Sequence, residues 1–384
     1  MIRPQSDAAS QMRVACWAAR AQFAALGIIT GIWGVHIPSI QRHYALDNLG
    51  LAIAFLIQAI GAVSCLTQAS RVVARFGART VARLAGCGMC ASQVLLLWGN
   101  NYATLLFLAV AFGAGVAFFD VSINAEAIVL ETLSGKKVMS GFHGMFSLGC
   151  MTGAAAGAAL IASGVDPWQQ LAGIGLADIG LVIVASTFML QEHPQQPGQR
   201  SAYALPRGLL AILGVMAAIG LVAEGTMYNW STLYMQNETG ASPAIAALGY
   251  SSFAAAMAAT RFGGDFLRTH IAAPRLLAGS MLLAATAIAV VLLLRLPSVA
   301  LVGFAFAGAG FANVIPILFI AATRVPGISP AAAISGVSSI GYMGFVIGPP
   351  LVGGIAQATS LSWGVCTVVV GALIVACGAR WVPQ

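Results

Sequence analysis

Of the 384 residues, 59% are hydrophobic and only 8% charged, against about 25% charged in an ordinary soluble domain. A soluble fold with so few charges would expose large apolar patches, which excludes soluble enzymes and cytosolic binding modules and leaves a polytopic membrane protein. The net charge of +7 is scattered between the oily runs, as topology signals are, rather than gathered into a phosphate-binding face, so no nucleic-acid partner is expected.

A bilayer-crossing helix needs about 20 apolar residues. Twelve such cores follow one another: 15–38, 48–69, 80–99, 102–130, 139–163, 168–190, 208–236, 243–266, 273–295, 298–322, 331–357 and 361–379. Arg13 and Arg20 lead into the first without a small-x-small cleavage site, so it reads as a span and not a secretory signal. Gly31, Trp33 and His36 fit a pocket lining there, with Trp33 offering a flat ring for stacking or else an interfacial anchor. The third span contains Cys87 and Cys90 as C-x-x-C. With no second pair and no ligand cluster nearby, all seven cysteines read as small packing residues, and neither a metal nor a cofactor is expected.

The fourth span ends in "GVAFFDVSINAEAIVLE" (115–131). Asp120 and Asn124 stand one helical turn apart on a stripe that Gly113 and Ala117 extend. A carboxylate at that depth costs about 2.5–3.5 kcal/mol on insertion scales and belongs in a cavity or on a proton path; the alternative is a structural hydrogen bond to a neighbouring helix. Glu126 projects about 120° from Asp120, toward inner-gate or interfacial contacts, and Glu131 is expected to be solvated near the headgroups. In the fifth span His143 and Ser147 share a face. His143 is a candidate proton carrier or a satisfied neutral ring, and Gly149, Gly153 and Gly157 permit close helix approach. Asp178 of the sixth span has no assigned role.

The stretch "QEHPQQPGQRSAYALPR" (191–207) is the longest polar run. It divides the chain into halves, 1–190 and 208–384, of six spans each. In the seventh span Glu224, Tyr228 and Ser231 line one face, with Glu224 either a site acid or half of an interhelical pair. Arg261 and Asp265 lie one turn apart at the end of the eighth. Asn313 precedes Pro316 in the tenth, where proline frees a carbonyl and kinks the helix.

A shift of 195 residues lays Gly113 and Gly115 on Gly308 and Gly310, Ser140-Gly141 on Ser335-Gly336, and Gly149 and Gly153 on Gly344 and Gly348. It also carries His143 and Ser147 onto Ser338 and Tyr342. Six spans per repeat make the halves parallel, the plan of carriers that rock around a midplane site. Of the 18 lysines and arginines, all but Arg42 and Arg295 fall on one side, which sets both termini in the cytoplasm. No G-x-x-x-x-G-K-[ST] stretch is present to bind ATP.

The loop "SRVVARFGAR" (70–79) is similar to the G-x-x-x-D-R-x-G-x-R motif of the major facilitator superfamily. Arg75, Gly77 and Arg79 are in register, and Ser70 and Ala74 replace the glycine and the acid. "TRFGGDFLR" (260–268) is its second-half counterpart. The resemblance implies an all-α membrane protein of twelve transmembrane helices in two pseudo-symmetric six-helix bundles, with helices one, four, seven and ten around a central cavity. It further implies a cytoplasmic gate at Arg75, Arg79, Arg261 and Asp265. "GVAFFDVSINAEA" and "SGFHGMFSLGCMTGAAAG" resemble the fucose–proton symporter branch and its YbjJ-like relatives. There the fourth-helix acid, matching Asp120, takes up the coupling proton; the symporter's first-helix acid is replaced by Gly34. The expected function is a secondary active transporter of the inner membrane, monomeric and working by alternating access. Protons are coupled through Asp120, Glu224 and His143. A small polar solute, a sugar or organic metabolite, meets Trp33, His36, Asn124, Ser147, Tyr228, Asn313, Ser338 and Tyr342. The alternative is a proton-antiport exporter of drugs or metabolites. Against it, the G-P element of exporters is missing from the fifth helix, while "GFVIGPPLVGG" sits in the eleventh.

Overall fold

The computed structural model describes residues 5–135, 138–190 and 207–383. The side chains of residues 5–9, Ser140, Asp265, Arg268 and Ala331 lie outside the described set, as does most of the 191–207 linker. In chain order the helices are α1 (Gln5–His43), α2 (Asn48–Phe76), α3 (Ala78–Val94), α4 (Tyr102–Ser134), α5 (Met139–Ala162) and α6 (Pro167–Thr187). They continue with α7 (Leu209–Thr239), α8 (Pro243–His270), α9 (Ala273–Leu294), α10 (Pro297–Phe311), α11 (Val314–Thr323), α12 (Pro330–Gly341), α13 (Met343–Ala358) and α14 (Leu361–Gly378). A 3-10 turn, Ala379–Trp381, follows. Among the described residues there is no strand.

These helices make twelve spans. Eleven are long and apolar enough to cross a bilayer by length and composition, and α3, with 17 residues, is the short twelfth. Two spans are broken. The α10–α11 span opens at Ala312 and Asn313, four and three residues before Pro316, where a ring without an N–H leaves a carbonyl unbonded. The α12–α13 span opens at Tyr342, whose carbonyl accepts a short-range bond from Phe345 N at 3.1 Å. Helix ends carry their own stops. Asn101 accepts from Thr104 N at 2.9 Å to start α4, and Gly135 ends it in the left-handed conformation. Glu131, expected to be merely solvated, instead accepts from Val138 N at 2.8 Å and Met139 N at 2.9 Å. It fixes the start of α5, where a carboxylate complements the helix dipole.

Two compact units emerge, Met1–His36 with Ile57–Gln195, and Ile37–Leu56 with Gln196–Gln384. The ends of α1 and α2 that face each other across their turn therefore belong with the second unit, although they precede the linker.

Within each unit, glycines set the helix spacing in the same way. A methyl added to Gly113 of α4 would strike the carbonyl of Gln58 on α2, and one added to Gly308 of α10 the carbonyl of Phe253 on α8. Both glycine and partner are 195 residues apart. Gly115 closes on Met89 of α3, and Gly310 on Ala284 of α9, again at that interval. Gly149 of α5 meets the carbonyl of Ala24, and Gly344 of α13 the carbonyl of Ala218. The repeat read in the sequence is thus a repeat of packing, with backbones brought close where no side chain intervenes.

Candidate functional site

In the first unit, the stripe on α4 starts with buried Gly113 and Ala117 and ends with half-buried Asp120 and Asn124. Asn124 Nδ2 donates to the Asp120 backbone carbonyl at 2.9 Å and to its Oδ1 at 3.0 Å. Among the described residues, this amide on the same helix is the carboxylate's hydrogen-bond partner, and no other helix supplies one. The interhelical hydrogen bond that would make Asp120 structural is therefore not formed.

The other residues expected around it divide. His143 is exposed on α5 with its ring edge-on to Phe23 of α1 at 5.3 Å. Ser147 is buried and returns its hydroxyl to the His143 carbonyl at 3.3 Å, closing a turn of its own helix. Trp33 does stack, but on Phe112 of α4, with ring centres 4.9 Å apart and planes 10° from parallel, so the packed core holds its ring. His36, expected in the pocket, is fully buried and points to α6, its Nε2 3.0 Å from Gln170 Oε1. Gln170 in turn donates to Val165 O at 2.8 Å. The pair joins α1 to α6.

A polar cluster that the sequence did not disclose closes the end of α6. Arg79 donates to the carbonyls of Thr187 (2.8 Å) and Met189. Arg83 Nε donates to Ser186 Oγ at 2.8 Å, Glu126 Oε1 accepts from Leu190 N at 2.8 Å, and Gln22 Nε2 donates to Val182 O at 3.2 Å. Helix C-termini leave carbonyls unbonded and carry partial negative charge, which accounts for two arginines there. Arg79, expected at the gate, is thereby engaged inside its own unit, while Arg75 is exposed over the ring of Phe76 at 5.2 Å. Between α3 and α6, Cys90 Sγ donates to Asp178 Oδ2 at 3.5 Å. Cys90 and Asp178 thus share a buried interhelical contact, whereas Cys87 is half-buried.

In the second unit, Glu224 of α7 meets Arg261 of α8, Oε1 to Nη2 at 3.3 Å. Of the two readings open for Glu224, the interhelical pair is the one formed, and it draws Arg261 toward α7. Asp265, the expected gate partner of Arg261, has its side chain outside the described residues. Tyr228 directs its hydroxyl to Met257 Sδ at 3.3 Å and packs on Tyr250 and Phe253 at 5.4 and 5.3 Å. Asn313, at the α10–α11 break, is buried with Nδ2 unbonded among the described residues. Ser338 is half-buried on α12, and Tyr342 is exposed, stacked on Phe345 at 6.5 Å. A cleft between α7 and α13 carries Thr226 and Asn229 on one wall and Phe345 on the other.

The chain matches the family model for the Major Facilitator Superfamily over residues 20–337. It is 32% identical over 365 residues to an MFS-type transporter of Yersinia pestis, covering 95% of either chain. Among solved structures, a D-xylose–proton symporter superposes with a TM-score of 0.79 at 12% identity, covering 97% of this chain and 98% of that one. The transporter FucP in its outward conformation gives 0.66 at 15% identity, covering 97% and 100%. At these identities the two structures speak for the fold alone.

Proposed function

The chain belongs to the major facilitator superfamily and is a transporter rather than an enzyme; on that footing we propose that protons drive it and that its cargo is a small polar solute, a sugar or other organic metabolite. The observation that carries this reading is Asp120. An acid inside a membrane span is costly unless it serves a pathway or a partner, and its hydrogen-bond partner is an amide one turn along its own helix. Asn124 orients the carboxylate and leaves lone pairs free to take and release a proton. A structural acid would be bonded across helices, as Glu224 is.

Several finer assignments belong to the same reading. The protein sits in the inner membrane as a monomer with both termini cytoplasmic, its functional halves 1–190 and 208–384 joined by the 191–207 linker. Arg75, Arg261 and Asp265 serve the cytoplasmic gate, and the cargo is exposed to each side in turn by alternating access. The symporter titles among the fold neighbours agree with this reading without extending to this chain.

Purified protein in liposomes, offered a broad panel of radiolabelled sugars and metabolites under an imposed pH gradient, tests it. The expected result is gradient-dependent accumulation of one solute class, accompanied by proton movement seen with an entrapped pH dye. Solute movement indifferent to the gradient would refute proton coupling.

A further inference from the structure

α1 is one continuous helix, Gln5–His43, yet the two compact units divide it between His36 and Ile37. Before the division it is clamped within the first unit. A methyl added to Gly27 would strike the carbonyl of Phe146 on α5, and one added to Gly31 the carbonyl of Cys150. After the division the contacts run within the second unit. Arg42 Nη1 donates to Gln236 Oε1 of α7 at 3.3 Å. The start of α2 follows, with Gly353 of α13 closing on Ala52, and Phe55 edge-on to Trp230 at 5.7 Å. Between clamp and tip, three features loosen the hydrogen-bond ladder of α1. Thr30 Oγ1 donates to Leu26 O at 2.7 Å, a back-bond of the kind that bends helices. Gln93 of α3, fully buried, turns its amide nitrogen to Ile29 O at 3.1 Å and its oxygen to Trp33 N at 3.3 Å. Those two groups are the acceptor and donor of a single i→i−4 link. Pro38 has no N–H, so Gly34 O lacks its ladder partner.

We infer that α1 is hinged between Ile29 and Pro38, and that Gln93 is the residue that positions this hinge for transport. The tip, 37–43, follows the second unit while the rest of α1 stays clamped to α5. A side chain inserted into the ladder kinks a helix, and here it also makes bending less costly. When the Ile29–Trp33 link stretches, Gln93 keeps both polar groups bonded, where a bare membrane helix would strand them. α7 supplies the control. Gly149 on Ala24 and Gly344 on Ala218 are equivalent contacts; counted from them, Gly34 and Pro38 of α1 fall on Tyr228 and Thr232 of α7. Gly115 on Met89 and Gly310 on Ala284 match α3 to α9 in the same way, and place Gln93 on Ile288. α7 therefore has neither the proline nor the inserted amide, and it lies whole within the second unit. The helix that the units divide is the one built to bend. The hinge serves any cargo and any coupling ion, so it stands apart from the proton reading above.

Distance measurement between spin labels in the purified full-length protein, with its accessible cysteines replaced by serine, is the test. One pair, His43 and Ser163, spans the hinge; a control pair, Asn100 and Ser163, lies within the first unit, and all three positions are exposed. The spanning pair should sample at least two distances in wild type, and the control pair one. Gln93→Leu leaves Ile29 O and Trp33 N to bond each other, which straightens the ladder. The minor distance of the spanning pair should then fall about threefold or more in population, with the control pair unchanged and the Tm close to wild type. Pro38→Ala restores the donor to Gly34 O without touching Gln93, and should have the same effect. Should Gln93→Leu fail to fold, Pro38→Ala decides alone. A single narrow distance for the spanning pair in wild type would overturn the hinge. So would a distribution that neither variant alters, whatever their Tm, since Gln93 would then be a packing residue.

Discussion

Asp120 and Glu224 are both acids of membrane-spanning helices, and what surrounds each separates their behaviour. Glu224 has Arg261 at 3.3 Å, so Glu224→Gln breaks an ion pair between α7 and α8 and should cost up to about 3 kcal/mol, the scale of breaking a buried pair. Asp120→Asn keeps the shape and a polar partner for Asn124, and should cost less than about 1 kcal/mol. Unfolding of the two variants in the same detergent, followed by intrinsic fluorescence, makes the comparison; equal destabilisation would mean that Asp120 holds helices together after all. The Asp120–Asn124 bond was legible in the sequence because residues four apart on a helix meet. The Glu224–Arg261 bond was not, because the partners are 37 residues apart and any acid on α7 had several arginines to choose from. His36 misled for the same reason: nothing in its own helix announces Gln170, and a histidine beside a tryptophan reads equally as pocket or core.

At the level of the helices, the least legible feature was a terminus decided by side chains from distant helices. The end of α6 is held by Gln22, Arg79, Arg83 and Glu126 from three other helices. Arg79→Ala should therefore fray that end, raising amide hydrogen exchange across 183–190 while leaving the rest of the unit protected. A change in conformational populations with exchange at 183–190 unaltered would return Arg79 to the gate. Glu131 is a comparable case, since it binds two amides at the start of α5. Glu131→Ala should cost about 1 kcal/mol, as the loss of a helix cap does, read as lowered thermal stability and faster exchange at residues 138–142. Only the break before Pro316 could be foreseen, because proline acts on its own helix.

For the whole molecule, the sequence was most informative where composition and glycine spacing carry the meaning. Oily runs separated by polar turns gave the spans, and one interval of 195 residues aligned glycines whose contacts prove equivalent: Gly113 against Gln58, Gly308 against Phe253. Gly113→Val and Gly308→Val should accordingly do similar damage, on the order of 1–3 kcal/mol or more from overpacking, visible as matched losses of folded yield. Damage confined to one of them would break the equivalence of the halves. The grouping of residues 37–56 with the second unit had no signature, because chain order and hydropathy both assign them to the first half. The central claim is that this transporter moves its solute by proton exchange at Asp120, and transport by Asp120→Asn in proteoliposomes tests it most directly. The variant is expected to lose accumulation driven by a pH gradient while retaining solute exchange without one, since exchange needs binding and conformational change but no net proton movement. Accumulation at the wild-type level would contradict the claim and leave Asp120 a structural residue.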